Sequence, residues 1–154
     1  MGTTANKQQS LTVRCQCGGV AFSTATATPL TMYHCHCTDC QKQSGSAFGT
    51  SAIFPAEGML PLPADVEART KKFTRITDSG NTMDCYFCAD CGCRLFHRIM
   101  KGPHGEGGPR PTVSVKGGCV EGLDWTGAKH IFVRSAVLKI PDGWETYEAM
   151  PPVL

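Results

Sequence analysis

Cysteine spacing constrains this chain more than any other property. Seven of its ten cysteines fall in three tight clusters. Cys15 and Cys17 form a C-x-C followed by Gly18, Cys35, Cys37 and Cys40 form C-x-C-x-x-C, and Cys88 and Cys91 form a C-x-x-C followed by Gly92. Two short pairs from distant segments suit a tetrahedral four-thiolate zinc, which in structural sites is coordinatively complete. A glycine behind such a pair admits the tight turn that aims amide N–H groups at the sulfurs, and both pairs carry one. We therefore expect Cys15, Cys17, Cys88 and Cys91 to share one zinc. Cys85 and Cys93 lie near enough in sequence to substitute for one of them.

The middle cluster supplies three ligands. Either it keeps a coordination position free, as metal catalysis requires, or a fourth side chain closes it as a second structural site. Cys119, Cys85, His34 and His36 are the candidates for that fourth ligand, and spacing alone leaves both alternatives open. Three anionic sulfurs overcompensate the charge of zinc, so the metal there is a weak Lewis acid toward water. A soft, thiolate-rich site favours another sulfur ligand instead. A substrate thiol bound there would be deprotonated near neutral pH. Carbon–sulfur bond making or breaking is the chemistry such a site suits.

A chain of 154 residues fits one domain with its own core. We expect that domain over residues 11–148, between a flexible segment at 1–10 and a tail at 149–154. Met1 to Ser10 holds no apolar run of secretory type, Asn6 stands where a myristoylation motif needs Ser or Thr, and no segment approaches transmembrane length. The expected location is cytoplasmic, reducing and free of membrane, where clustered cysteines signify metal or catalysis more often than disulfides. The formal charge of +2 falls to about −1 once a four-thiolate and a three-thiolate zinc are counted. No basic stripe marks a nucleic-acid surface, so no nucleic acid is expected as a partner.

Short β-patterned runs dominate the rest: 11–13, 20–22, 47–54, 73–77, 85–87, 94–99, 112–115 and 130–133. No stretch sustains a three-to-four residue apolar period, so helix content should be low. One short turn through Cys40, Gln41 and Lys42 is the exception, with Thr38 or Asp39 as its cap. Residues 55–63 and 102–111 are loops, rich in proline and glycine. The fold class is mainly β: one all-β domain with zinc-stapled turns and little helix.

In order, Cys15-Gln16-Cys17-Gly18, Cys35-His36-Cys37-Thr38-Asp39-Cys40 and Phe87-Cys88-Ala89-Asp90-Cys91-Gly92 resemble the motifs of the glutathione-dependent formaldehyde-activating enzyme family, which includes centromere protein V. Weaker matches are Ser79-Gly80, the 118–124 stretch with its Leu-Asp, and His130-Ile131-Phe132. The resemblance spans residues 11–148. It implies coiled β-sheets of β-tent type around a structural zinc, two zincs per chain, and carbon–sulfur lyase chemistry on glutathione or a glutathione adduct. By that resemblance Cys15, Cys17, Cys88 and Cys91 are structural ligands, and Cys35, Cys37 and Cys40 hold a catalytic zinc. Val13, the Ala136-Val137-Leu138 stretch, Trp144 and the long 102–111 loop depart from the family pattern. These departures bear on the substrate, which we expect to be larger than formaldehyde.

Glutathione carries two carboxylates and an ammonium, so its site needs cations and hydrogen-bond donors. Lys42, Arg75 and Arg94 lie near the clusters in sequence, and Ser79-Gly80 can form a turn whose N–H groups face a carboxylate. His36, between two ligands, should point away from the metal on an extended strand. His97 and His104 are acid–base candidates, Trp125 is a candidate pocket wall, and Cys85, Cys93 and Cys119 read as free thiols. The expected partner is a small-molecule thiol or thioether. The rival reading is a non-catalytic zinc module for macromolecular interaction, with both zincs structural.

Overall fold

The computed structural model describes residues 9–152. Residues 1–8 of the expected N-terminal segment, and 153 and 154 of the expected tail, lie outside the described residues. The first two strands, β1 (Thr12–Arg14) and β2 (Ala21–Ser23), form an antiparallel hairpin across the Cys15–Cys17 turn. Seven more strands build one open sheet. They are β3 (Thr31–Cys35), β4 (Gly49–Pro55), β5 (Thr70–Ile76), β6 (Thr82–Cys88), β7 (Arg94–Lys101), β8 (Thr112–Lys116) and β9 (Lys129–Ile131). Their spatial order is β5-β6-β7-β8-β4-β3-β9. All neighbours are antiparallel except β3 and β9. Helix α1 (Thr38–Ser44) follows β3, and α2 (Ala64–Glu67) precedes β5. Strand accounts for 36% and helix for 12%, which makes the fold mainly β, as expected; its sheets are open.

Each run expected as strand seeds one, with β3 as the addition. Its sequence, Thr-Met-Tyr-His-Cys, shows no polar–apolar alternation because both of its faces are covered. The cap of helix α1 lies one residue earlier than expected. Cys37 takes the N-cap position, its sulfur accepting the Cys40 N–H at 3.3 Å, in place of Thr38 or Asp39. A thiolate ligand thereby doubles as the cap.

The period-two alternation of strands sorts side chains onto the two faces of the sheet. On one face, Ala52, Phe54, Phe96, Val113 and Val115 are buried against Val13, Val20 and Phe22 of the hairpin. The Phe22 and Phe96 rings meet edge-on at 5.8 Å. Burying each such aromatic contributes about 1.5–3 kcal/mol. Cys15 and Cys88 belong to this core, so the first cysteine set ties the hairpin to β6. On the other face, the alternate residues Ser51, Ile53, His97, Thr112, Ser114 and Lys116 line a cavity.

Candidate metal centres and the cavity between the sheet ends

The sulfurs of Cys15, Cys17, Cys88 and Cys91 lie within 4.8 Å of one another. Gly18 and Gly92 sit at φ 77° and 74°, the left-handed region that favours glycine. A Cβ at either position would meet nothing within 4 Å, so backbone conformation, and not space, calls for the glycine. The turns aim donors at the sulfurs: Val20 N–H reaches Cys15 Sγ at 3.2 Å and Gly19 N–H reaches Cys17 Sγ at 3.4 Å. Backbone hydrogen bonds from Cys17 and Cys93 draw the Cys91 thiol down to about 6. A sulfur-only donor set, mutually in reach and supplied with N–H groups that favour thiolates, fits tetrahedral zinc.

The sulfurs of Cys35, Cys37 and Cys40 likewise lie within 4.8 Å of one another, and among the described residues no fourth His, Cys, Asp or Glu joins them. Cys37 is held far below the usual thiol range by hydrogen bonds from Cys35 and then Cys40, whereas sharing with Cys37 pushes Cys35 up. The proposed fourth ligands lie elsewhere. His34 and His36 are packed together with His130 and Phe48, in a cluster flanked by Trp125 and Trp144 and absent from the cavity lining. His36 is fully buried and its Nε2 lies 2.8 Å from His130 Nδ1. Burial, with smaller contributions from His130 and His36, holds His34 down at about 4. Cys93 and Cys119 pair with each other, their sulfurs 3.5 Å apart. Cys85 is buried on β6 opposite His97, and burial raises its thiol.

The trio opens into a cavity of about 520 Å³ that runs across the inner face of the sheet. Its charged lining groups include Arg75, Arg110 and Lys116, balanced by Asp39 and Asp78. Lys116 is buried, and its Nζ lies 3.3 Å from Ser51 Oγ. Burial lowers its amine, while the thiols of Cys40, Cys85 and Cys35 oppose that shift. His97 Nε2 lies 3.0 Å from an Arg94 guanidinium nitrogen, which makes that ring nitrogen the acceptor. Burial first, then the charges of Lys116, Arg94 and Arg75, hold His97 well below the ordinary imidazole value. Apolar wall is supplied by Tyr33, Ile53, Ile131, Phe132 and Met150.

Of the residues singled out from sequence to bind glutathione, Ser79 lines the cavity, as does Arg75. Gly80 forms the β5–β6 turn at φ 83°, but its N–H is bonded to Thr77 O at 2.8 Å. Lys42 is exposed on α1 and stands outside the lining. Arg94 also stands outside it, its guanidinium bonded to His97 and 6.0 Å over the Phe73 ring. His104 and Trp125 are outside it too. Lys116 and Arg110 went unrecognised in the sequence, although one signal was present. The stretch Thr112-Val113-Ser114-Val115-Lys116 alternates polar and apolar, which marks Lys116 as belonging to a polar sheet face opposite the core.

No helix among the described residues is long and apolar enough to cross a membrane. A protein of Penicillium rubens, whose name assigns it provisionally to glutathione-dependent formaldehyde activation, is 31% identical over 90 residues. That match covers 58% of this chain and 44% of the relative, so the chain spans less than half the length of the curated protein it matches. The model of the family described as glutathione-dependent formaldehyde-activating enzyme matches residues 10–135, a stretch that contains all three cysteine clusters. On that match the chain belongs to the glutathione-dependent formaldehyde-activating enzyme family.

Proposed function

We propose that this protein is a zinc-dependent carbon–sulfur lyase that acts on glutathione or a glutathione adduct. One observation carries the reading. Three cysteine sulfurs without a fourth side-chain ligand among the described residues lie at the wall of a roomy cavity whose lining holds Arg75, Arg110 and Lys116. In this reading Cys15, Cys17, Cys88 and Cys91 hold a structural zinc. Zinc held by Cys35, Cys37 and Cys40 would supply a soft, incompletely ligated position that favours an external thiolate.

The chain's own residues supply the rest. Arg75 and Arg110, both in the cavity lining, would pair with the substrate carboxylates, since guanidinium–carboxylate pairs are strong and directional. Asn81 and Ser79 add donors from the same lining. Lys116 is confined by burial beside Ser51, and although burial lowers its amine, the thiols of Cys40 and Cys35 favour its charged form, so a proton on it would put positive charge beside them. That charge favours sulfur as an anion, whether it attacks a carbonyl carbon or departs from one. In cleavage of a thiohemiacetal, the carbon–sulfur electron pair goes to sulfur, the hydroxyl proton is lost, and the carbonyl forms. Addition is the reverse.

The test is direct. Zinc-loaded protein is incubated with formaldehyde and with glutathione conjugates, and exchange between free and adduct glutathione is followed by NMR and mass spectrometry. Exchange above the uncatalysed rate that disappears in Cys37→Ser supports the reading. No acceleration with any adduct, with zinc bound at both clusters, favours the non-catalytic module.

A further inference from the structure

We propose that the substrate's sulfur carries a bulky apolar group, and that Phe132 is the residue that selects it. The inference rests on the reading of the cysteine trio given above and narrows its substrate class. Phe132 has φ 54° and ψ 39° and is the one non-glycine residue with positive φ among the described residues. Bulky side chains avoid this conformation. Where it persists, surrounding contacts over-determine it, and such outliers gather at ligand clamps and active sites.

The contacts that hold Phe132 are all visible. Its N–H is bonded to Ala149 O at 3.3 Å, and the next N–H, of Val133, to Tyr147 O at 3.1 Å. The Arg134 guanidinium lies 5.5 Å from the ring centroid and is bonded to Asp78, which itself lines the cavity. The turn is thus pinned from three sides. Phe132 thereby joins Tyr33, Ile131, Cys35 and Cys40 in one buried cluster, and all five line the cavity. Ile53 and Met150 extend the same apolar surface.

Chemistry and volume agree on what this surface takes. The groups nearest the trio on this side are apolar, so what they receive is the substituent on the substrate's sulfur and not the charged ends of the tripeptide. A tripeptide thiol occupies on the order of 300 Å³ at protein packing density. The cavity of about 520 Å³ then leaves room on the scale of a hexyl or benzyl group. A one-carbon adduct would leave that room to water, with the Phe132 ring facing it.

Isothermal titration calorimetry on the zinc-loaded full chain tests the inference, with glutathione and its S-methyl, S-butyl, S-hexyl and S-benzyl thioethers as probes. Affinity should rise about tenfold or more from S-methyl to S-hexyl or S-benzyl as apolar surface is buried. Phe132→Asn keeps a residue that tolerates the left-handed backbone and should cut that gain to about twofold or less. If Phe132→Asn does not fold, Phe132→Gly removes the ring at a backbone glycine adopts freely, and the same loss of gain is expected. A flat thioether series with glutathione still bound overturns the inference and leaves the lyase reading standing. A rising series unchanged in the Phe132 variant overturns the role given to Phe132. Failure of glutathione and every thioether to bind overturns the lyase reading and this inference with it.

Discussion

The guanidinium of Arg75, on the edge strand β5, donates to the carboxylate of Asp39, on α1, at 3.1 Å. Strand β5 is one edge of the seven-stranded sheet, and α1 leaves β3 close to the other. The pair therefore brings the two ends of the sheet together over the inner face, and the cavity is the space they enclose. Arg75 also lowers the Cys37 thiol, after the larger effects of Cys35 and Cys40. It links enclosure to the sulfur site.

Arg75→Gln separates these roles. Asp39 is about half exposed, with 52% of its side-chain surface accessible, so loss of the ion pair should change unfolding free energy by no more than about 1 kcal/mol. Loss of a charge-assisted bond to a substrate carboxylate should weaken glutathione binding about tenfold. Chemical denaturation and calorimetry on the same samples check both figures. Lower stability with unchanged affinity would reduce Arg75 to a strut between the sheet ends.

Lys116 invites a different experiment because its amine is buried. A buried charge without an ion-pair partner is costly to keep out of water, and an apolar side chain of similar length removes that cost. Lys116→Met should therefore leave the metal-free protein as stable as wild type or more so. The thiolates of the trio would lose a nearby cation, and zinc there should be surrendered to a chelator about tenfold more readily. Competition with a colorimetric chelator measures that loss, with the Cys15–Cys91 set as internal reference. Equal release from both sets would show that Lys116 exerts no local effect.

How much of this was written in the sequence depends on the residue. The cysteine groups could be read from spacing because a knuckle is a local object: Gly18 and Gly92 sit one residue beyond their ligands, and their left-handed turns follow from that. Most strands were legible for a similar reason, since an alternation such as Thr112 to Lys116 needs only one neighbour on each side. Strand β3 was not. Met32 enters the main core while Tyr33 and Cys35 face the cavity, and two buried faces erase the alternation. The cavity lining was only partly legible, because Arg75 and Lys116 become neighbours of the trio through the curl of a seven-stranded sheet. Arg94 illustrates the limit. It lies close in sequence to Cys91, yet its guanidinium is committed to His97 and the Phe73 ring.

The two cysteine groups should respond differently to the same chemical change. Cys88 is fully buried in the main core, and its set ties the hairpin to the sheet. Cys88→Ser places a hydroxyl there and removes a metal ligand, so we expect a loss of several kcal/mol and extensive unfolding. Cys37 is half-buried at the start of α1. A serine hydroxyl there can still cap the helix. Cys37→Ser should thus keep the far-ultraviolet spectrum and most of the stability while exchange of glutathione adducts is abolished. Equal unfolding in both variants would mean that the trio, too, is structural.

Acid sensitivity provides the last prediction, through His97. In the fold its imidazole stays neutral well below the ordinary value of 6.5, because it is buried near Lys116, Arg94 and Arg75. In the unfolded chain it titrates near 6.5. Above that pH neither state binds the proton and His97 makes no pH-dependent contribution. Below it the unfolded state binds more protons than the native state, so stability falls as pH falls, by about 1.4 kcal/mol per pH unit for one histidine. His34, His36 and His130 are lowered in the same direction by burial, and thiolate protonation releases zinc over an overlapping range. Wild type alone therefore cannot isolate the effect, but a difference can. His97→Gln retains an acceptor for Arg94 and carries no titrating proton. Urea denaturation at about pH 7.5, 6 and 5 should show the wild-type advantage shrinking by roughly 1.4 kcal/mol per unit in the acid range. An advantage that stays constant would mean that His97 takes up its proton as readily in the fold as in the unfolded chain, and that Arg94 does not donate to its bare nitrogen.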